Sequence, residues 1–205
     1  MLQDMKRYLE VVANIMQENK DTLIEMDQIV GDGDLGLTMS DGFRAAYLAV
    51  KDTDEQDLGK LVYAGGKAMA SAVPSTMGTL MASGLMQAGK DLRNQNELTN
   101  ENWVQFFDSF EAGVINRGKA NVGEKTFIDG IDPAVQVLKE NIELPLAQLA
   151  SKASKAARQG YEQTATMIAK HGRAATRGEA SRDLLDPGAY VAVLLFEAFE
   201  ISVKG

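Results

Sequence analysis

Apolar residues return at three- and four-residue intervals along most of this chain, and no stretch keeps the two-residue alternation of a half-buried strand. Leu2, Met5, Leu9, Val12 and Ile15 set the pattern and predict a first helix running to about Glu25. Further helices are predicted from Thr38 to about Val50, from Asp54 to about Val73, and, past the interruption at Pro74-Ser75, to about Leu92. Asn94 to Asn100 is polar and reads as a loop. Thr99 suits the N-cap of a fifth helix carrying Trp103, Phe106, Phe107, Phe110 and Val114, which Gly118 to Thr126 ends. Ile131, Val135, Val137 and Leu138 mark a short sixth helix, and Pro145 suits the first turn of a long Ala-rich seventh one, from about Leu146 to Lys170. A last helix, capped by Asp186 and opened by Pro187, is apolar nearly all round and is therefore expected to be buried. Eight helices without strand alternation predict an all-α fold of antiparallel neighbours in a single domain, residues 1–205.

Composition supports helices: 45% of residues are hydrophobic but only 6% aromatic, so the core must be built from Ala, Leu, Val, Met and Ile. No cysteine is present, which excludes disulfides and thiolate metal sites and makes a reducing cytoplasm the simplest home. No apolar run approaches the ~20 residues of a membrane span, and Met1 to Asp4 lack the basic start of a signal peptide. A net charge of -8 argues against a nucleic-acid partner. An acidic protein that binds phosphates must carry local positive charge or recruit metal ions.

The densest chemical signal is Asp27-Gln28-Ile29-Val30-Gly31-Asp32-Gly33-Asp34-Leu35-Gly36-Leu37-Thr38. Glycines flank Asp32 and let the backbone turn sharply, so that Asp27, Asp32 and Asp34 can converge. Carboxylates held that close repel one another unless a cation lies between them, and oxygen-only ligands select a hard ion such as magnesium. Gly31-x-Gly33-x-x-Gly36 formally matches a dinucleotide fingerprint, but the preceding residues include Glu25, Asp27 and Gln28, unlike a buried parallel strand. A calcium-hand reading lacks its third ligand and has Phe43 in place of the distal glutamate. From these residues alone, a solvated acidic loop capping the next helix stays open as the bland alternative.

Asp27-x-x-x-x-Asp32-Gly33-Asp34-x-Gly36, with Met39 and Gly42-Phe43 behind it, resembles the metal-binding loop of the nucleotide-binding (L) subunit of dihydroxyacetone kinases. Gly113-Val114-Ile115-x-Arg117-Gly118-Lys119-Ala120, then Gly123-x-Lys125-Thr126 and Asp129, resemble the family's central motif. Gly172-Arg173-Ala174, Gly178-Glu179 and Asp186-Pro187-Gly188-Ala189 resemble its C-terminal one. The resemblance implies an eight-helix antiparallel barrel that binds ADP or ATP at one end. It implies that Asp27, Asp32 and Asp34 hold two magnesium ions on the nucleotide phosphates. Leu35, Gly36, Leu37 and Thr38 would lie beside the phosphates at a helix start, with Thr76 and Met77 on a second side; Gly118, Phe127, Arg173, Asp186, Pro187 and Gly188 match nucleotide-contacting positions. Two departures stand out: Leu35 replaces a common histidine, and Pro74-Ser75-Thr76-Met77-Gly78-Thr79 replaces a small hydroxyl-rich phosphate loop, keeping Gly78.

The resemblance further implies a phosphotransferase subunit that is active only with a partner, a ketose-binding kinase subunit. A phosphohistidine phosphocarrier of the sugar phosphotransferase system serves as donor in one branch, which the length of this chain favours. No membrane partner is expected, and self-association as a homodimer is left open. His171, the single histidine, does not match a catalytic position and reads as structural. The alternative is a nucleotide-binding regulatory or degenerate module without phosphotransfer. The ketose itself stays open between dihydroxyacetone and a larger sugar such as a tetrulose.

Overall fold

The computed structural model describes residues 2–204; Met1, which entered the reading of the N-terminus, lies outside them. Helices α1 (Gln3–Glu18), α2 (Lys20–Val30), α3 (Leu35–Val50), α4 (Leu58–Ala72), α5 (Thr76–Asp91), α6 (Asn100–Gly118), α7 (Phe127–Glu140), α8 (Leu146–Gln163) and α9 (Pro187–Lys204) account for most of the chain, and no strand occurs among the described residues. Two 3-10 stretches, Thr164–Thr166 and Arg173–Ser181, lie between α8 and α9.

Eight of these helices close a ring: α1 packs on α3, and each later helix on the next, until α9 returns to α1. Every neighbour runs antiparallel. Across the α1 and α3 seam, Ser40 Oγ donates to Gln17 Oε1 at 2.6 Å, Tyr47 Oη to Glu10 Oε1 at 2.8 Å, and Lys6 Nζ to the Thr53 carbonyl at 2.6 Å, an order that only opposed helices give. The ring is filled by an aromatic cluster in which Tyr8, Trp103, Phe106, Phe107, Phe196 and Phe199 meet largely edge to face, the arrangement ring quadrupoles favour.

The first predicted helix is two. Asn19 breaks it: its Nδ2 donates at 2.8 Å to the Ile15 carbonyl, which also accepts from Asn19 N at 3.0 Å, while its Oδ1 takes the Tyr190 hydroxyl at 3.2 Å. The resulting extra helix, α2, lies outside the ring against α3 and runs on to Val30, so Asp27 is helical rather than in a loop. Helix α3 starts at Leu35, three residues before the predicted Thr38. Its early start against α2 needs Gly36, where a Cβ would stand 2.1 Å from the Lys20 carbonyl oxygen. Helix α4 begins at Leu58 rather than Asp54, because the Asp57 side chain caps it by accepting from Lys60 N at 3.0 Å. The seventh predicted helix ends at Gln163, seven residues early, where the chain leaves for the 3-10 stretches. The caps predicted at Thr99 and Asp186 are both present, the first as a reciprocal capping box with Asn102 and the second as Ala189 N donating to Asp186 Oδ2 at 2.7 Å.

Candidate phosphate and metal site

Antiparallel order sends the N-termini of α3, α5, α7 and α9 to one end of the ring, where their unpaired N–H groups favour anions. A cleft of about 790 Å³ opens there, within the range of small-molecule sites. One rim is the turn from α2 into α3. Asp27, Asp32 and Asp34 each bring a carboxylate oxygen to within 4.8 Å of the others, the one such group of possible metal ligands among the described residues. The turn is made by Gly33, which adopts φ +78, and by Gly31, where a Cβ would meet Asp27 Oδ1 at 2.3 Å. Asp27 also accepts from Leu35 N at 3.3 Å, which fixes it against the start of α3.

This crowding registers as charge strain. Burial, then the neighbouring Asp32 and Asp27, raise the Asp34 pKa above the ordinary carboxylate value, and Arg173 opposes them. The Arg173 guanidinium rests on Asp32 at 2.7 Å, although its side chain is 70% exposed. A positive group is therefore already drawn to the cluster. An all-oxygen set of three acids beside a phosphate-favouring cleft fits magnesium in kind and charge.

The opposite walls come from the other predicted segments. Leu35, Thr76, Met77, Gly118, Phe127, Arg173, Asp186, Pro187 and Gly188 all line the cleft with the three aspartates. Gly36, Leu37 and Thr38 do not. Gly36 is spent on the contact with α2, while Leu37 and Thr38 line a shallow neighbouring cleft, where Thr38 Oγ1 accepts from Ser75 Oγ at 3.3 Å. Phe127 is 3% exposed and its ring lies 6.1 Å from Phe110, so it belongs to the core with one edge in the wall. Asp186 is buried on the floor. Its pKa is pushed up to about 7 by desolvation, against the Ala189 N–H that it accepts, with Asp129 adding to the rise and Lys125 opposing it.

The sequence reading had not assigned Ser75, Arg117, Lys125, Thr126 or His171 to the site, and all five line the cleft. Ser75 caps α5 through Gly78 N at 3.1 Å, and Thr126 caps α7 in a capping box with Asp129. His171 Nε2 lies 2.6 Å from Glu124 Oε2, and that carboxyl is held well below its ordinary pKa by the Asn121 N–H and by His171. The Gly123-x-Lys125-Thr126 pattern was the available signal for Lys125 and Thr126. Nothing local flagged His171.

Fold and site together define a ring of helices that gathers three converging carboxylates and four helix N-termini at one cleft. The DAK2 domain signature matches residues 29–200, and the chain belongs to that family. It is 32% identical to the ADP-binding subunit DhaL of a PEP-dependent dihydroxyacetone kinase of Listeria innocua, over 94% of this chain and 92% of that one. It is 30% identical to the corresponding Escherichia coli subunit, over 96% and 95%. The crystal structure of the dihydroxyacetone kinase from C. freundii in complex with AMP-PNP and Mg2+ superposes with a TM-score of 0.73 at 25% identity, covering 96% of this chain and 33% of that longer one.

Proposed function

We propose that this chain is the ADP- or ATP-binding subunit of a dihydroxyacetone or related ketose kinase, which presents the terminal phosphoryl group to a ketose held on a partner subunit. The observation that carries the reading is the convergence of Asp27, Asp32 and Asp34 within 4.8 Å at the mouth of a cleft walled by helix N-termini. In this reading the three carboxylates hold two magnesium ions. Bound magnesium supplies charge there, neutralising the diphosphate and drawing electron density from the phosphoryl group to be transferred. The N-terminal turns of α5 and α7, around Thr76, Met77 and Phe127, offer N–H groups to phosphate oxygens. Arg173 offers a planar fork of donors to phosphate or ribose. Gly118 and Gly188 keep the walls free of side chains; a Cβ on Gly188 would approach Asp186 Oδ2 to 2.9 Å.

No step here needs a protein nucleophile; of the nitrogen groups in the cleft lining, Lys125 Nζ is taken up by backbone carbonyls and His171 Nε2 by Glu124. The relatives from Listeria and Escherichia coli are named as PEP-dependent and one from Lactococcus lactis as PTS-dependent, which supports a phosphohistidine carrier as donor and ADP as a retained cofactor. No helix among the described residues is long and apolar enough to cross a membrane, and we place the subunit in the cytoplasm with its partners.

Native mass spectrometry of the purified chain tests retention of ADP. A coupled assay of dihydroxyacetone phosphorylation, with and without a ketose-binding subunit, tests the division of labour. Turnover is expected only with the partner; robust turnover by this chain alone overturns the subunit reading. The second reading, a module that binds Mg-ADP without transferring phosphate, draws on Leu35 and Met77, two apolar side chains in the cleft wall. Binding without transfer in the reconstituted system selects it.

A further inference from the structure

Lys125 is 3% exposed, yet among the described residues no carboxylate forms an ion pair with it. Its Nζ donates instead to backbone carbonyls: Thr164 at 2.8 Å, Met167 at 3.3 Å, Ser181 at 2.6 Å, and Leu184. These acceptors lie at the two ends of the excursion between α8 and α9. That excursion carries His171, Gly172, Arg173 and Ala174 into the cleft wall and ends at Asp186.

We propose that Lys125 is a positioning residue of the nucleotide site, an ammonium clamp that closes the base of the 164–185 excursion and so holds Arg173 and Asp186 where a nucleotide meets them. This rests on the nucleotide reading of the cleft.

The excursion has little apolar core of its own, so its order depends on polar contacts. Lys125 supplies the central ones. Without the ammonium, the Ser181 carbonyl loses its donor and the Thr164 carbonyl keeps only Met167 N at 3.1 Å; both residues have no exposed surface, a setting in which an unpaired acceptor is costly. Desolvation of the ammonium holds the Lys125 pKa below the ordinary lysine value, while Asp186 and Asp183 oppose that shift, so the lysine is retained here at a cost that packing alone does not require. Its backbone is left-handed, φ +60, a conformation non-glycine residues keep only when the surroundings over-determine it. The remaining ties reinforce the same loop: Ala169 N donates to Ser181 Oγ at 2.9 Å, Ser181 Oγ to the Gly178 carbonyl at 2.6 Å, and Asp183 N to the Ala165 carbonyl at 2.9 Å. At its tip the excursion reaches α2 only through exposed groups, Arg173 on Asp32 and Arg177 on the Ile29 carbonyl. The firm attachment is at the base, where the four carbonyls gathered by Lys125 are joined by Asp186 N donating to Thr164 Oγ1 at 3.0 Å.

The test is Lys125→Met, which keeps length and apolar bulk and removes charge and donors, with Lys125→Gln as a milder change that keeps a neutral donor. Hydrogen exchange on the ligand-free proteins is expected to quicken roughly tenfold or more across 164–185 and to stay unchanged in α3 to α6, the signature of a local opening. Mg-ADP is expected to dissociate roughly tenfold faster from Lys125→Met, with association altered by less than about threefold. If Lys125→Met does not fold, Lys125→Gln must show the local exchange pattern with a smaller rise in dissociation rate. Exchange that is unchanged in 164–185, or raised evenly around the whole ring, overturns the clamp, as does dissociation unchanged from wild type in a folded Lys125→Met. Failure of the wild-type protein to bind Mg-ADP instead retires the nucleotide reading, and the exchange pattern then judges the clamp by itself.

Discussion

Asp34→Asn is expected to stabilise the ligand-free protein while destroying its affinity for Mg-ADP, two effects of opposite sign from one atom. Asp34 is the cleanest of the three acids to neutralise. Its side chain makes no capping hydrogen bond to α3, whereas Asp27 accepts from Leu35 N and Asp32 pairs with Arg173. With carboxylate oxygens within 4.8 Å of one another, each like-charge pair costs about 0.9 kcal/mol even at the dielectric of water, so removing the Asp34 charge relieves two pairs, about 1.7 kcal/mol. The start of α3 and the nearby Arg173 favour a negative charge by about 0.3–1 kcal/mol, which offsets part of this. The net gain is about 1 kcal/mol, or a melting point roughly 2–4 °C higher for a domain of this size, measured by calorimetry in a metal chelator. Titration with ADP at fixed magnesium is expected to show an affinity lower by about a hundredfold or more, near 2.7 kcal/mol, because an amide cannot offset the ion's charge. A ligand-free variant that melts below wild type while binding Mg-ADP undiminished refutes both the repulsion and the metal assignment.

Arg173→Ala is expected to leave the stability of the ligand-free protein within about 1 kcal/mol of wild type, since an exposed ion pair contributes little, while weakening ADP binding roughly tenfold or more by calorimetry. Gly36→Ala is expected to destabilise by roughly 3 kcal/mol in urea unfolding, because its Cβ would meet the Lys20 carbonyl at 2.1 Å and force α2 off α3. Glu111, 5% exposed on α6 with Oε1 unpaired, has its pKa pushed up to about 8 from an ordinary 4.5 by desolvation and by Asp132. Between those values the folded protein keeps a proton the unfolded chain has lost, so the stability owed to this group is full below pH 4.5 and declines until about pH 8. Glu111→Gln is therefore expected to be more stable than wild type by roughly 2 kcal/mol or more at pH 8, with the difference vanishing near pH 4.5; a constant difference across that range contradicts the burial argument.

What sequence revealed of the fold was what neighbouring residues decide. Thr99 and Asn102, or Asp186 and Ala189, lie three apart, so their caps are legible in the string itself. The break at Asn19 was not, because what steadies it, the Tyr190 hydroxyl, comes from α9 at the other end of the sequence. The early end of α8 was hidden for the same reason: the ammonium that gathers the Thr164 and Met167 carbonyls belongs to Lys125, on the far side of α7 and α8 in sequence. In the candidate site, three acids separated by glycines announced their convergence. Gly36 carried a different meaning from the one its motif suggested, since its missing side chain serves the approach of α2 to α3 rather than a ligand, and spacing alone does not separate those two uses.

Helix dipoles do not by themselves mark the functional end of this molecule. An antiparallel ring of eight sends the N-termini of α3, α5, α7 and α9 one way and those of α1, α4, α6 and α8 the other, so both ends attract anions alike. The connections make the difference. Among the described residues, every one with positive φ except Asn94 lies in the turns at the cleft end: Gly33, Lys119, Gly123, Lys125, Gly172, Gly178 and Asp183. For Lys119, Lys125 and Asp183 that backbone costs of order 1 kcal/mol or more each, and it persists only where other contacts hold it. The same end holds the crowded aspartates and the buried Asp186 carboxyl, two further arrangements that lower the stability of the empty protein. A rigid ring of helices can carry such strained turns because its own packing does not depend on them. On the proposed nucleotide reading, the acids also account for how a chain of net charge -8 would take a polyphosphate ligand: beside Arg117 and Arg173 in the cleft wall, attraction would come through cations held by the aspartates and through N–H groups that carry no formal charge.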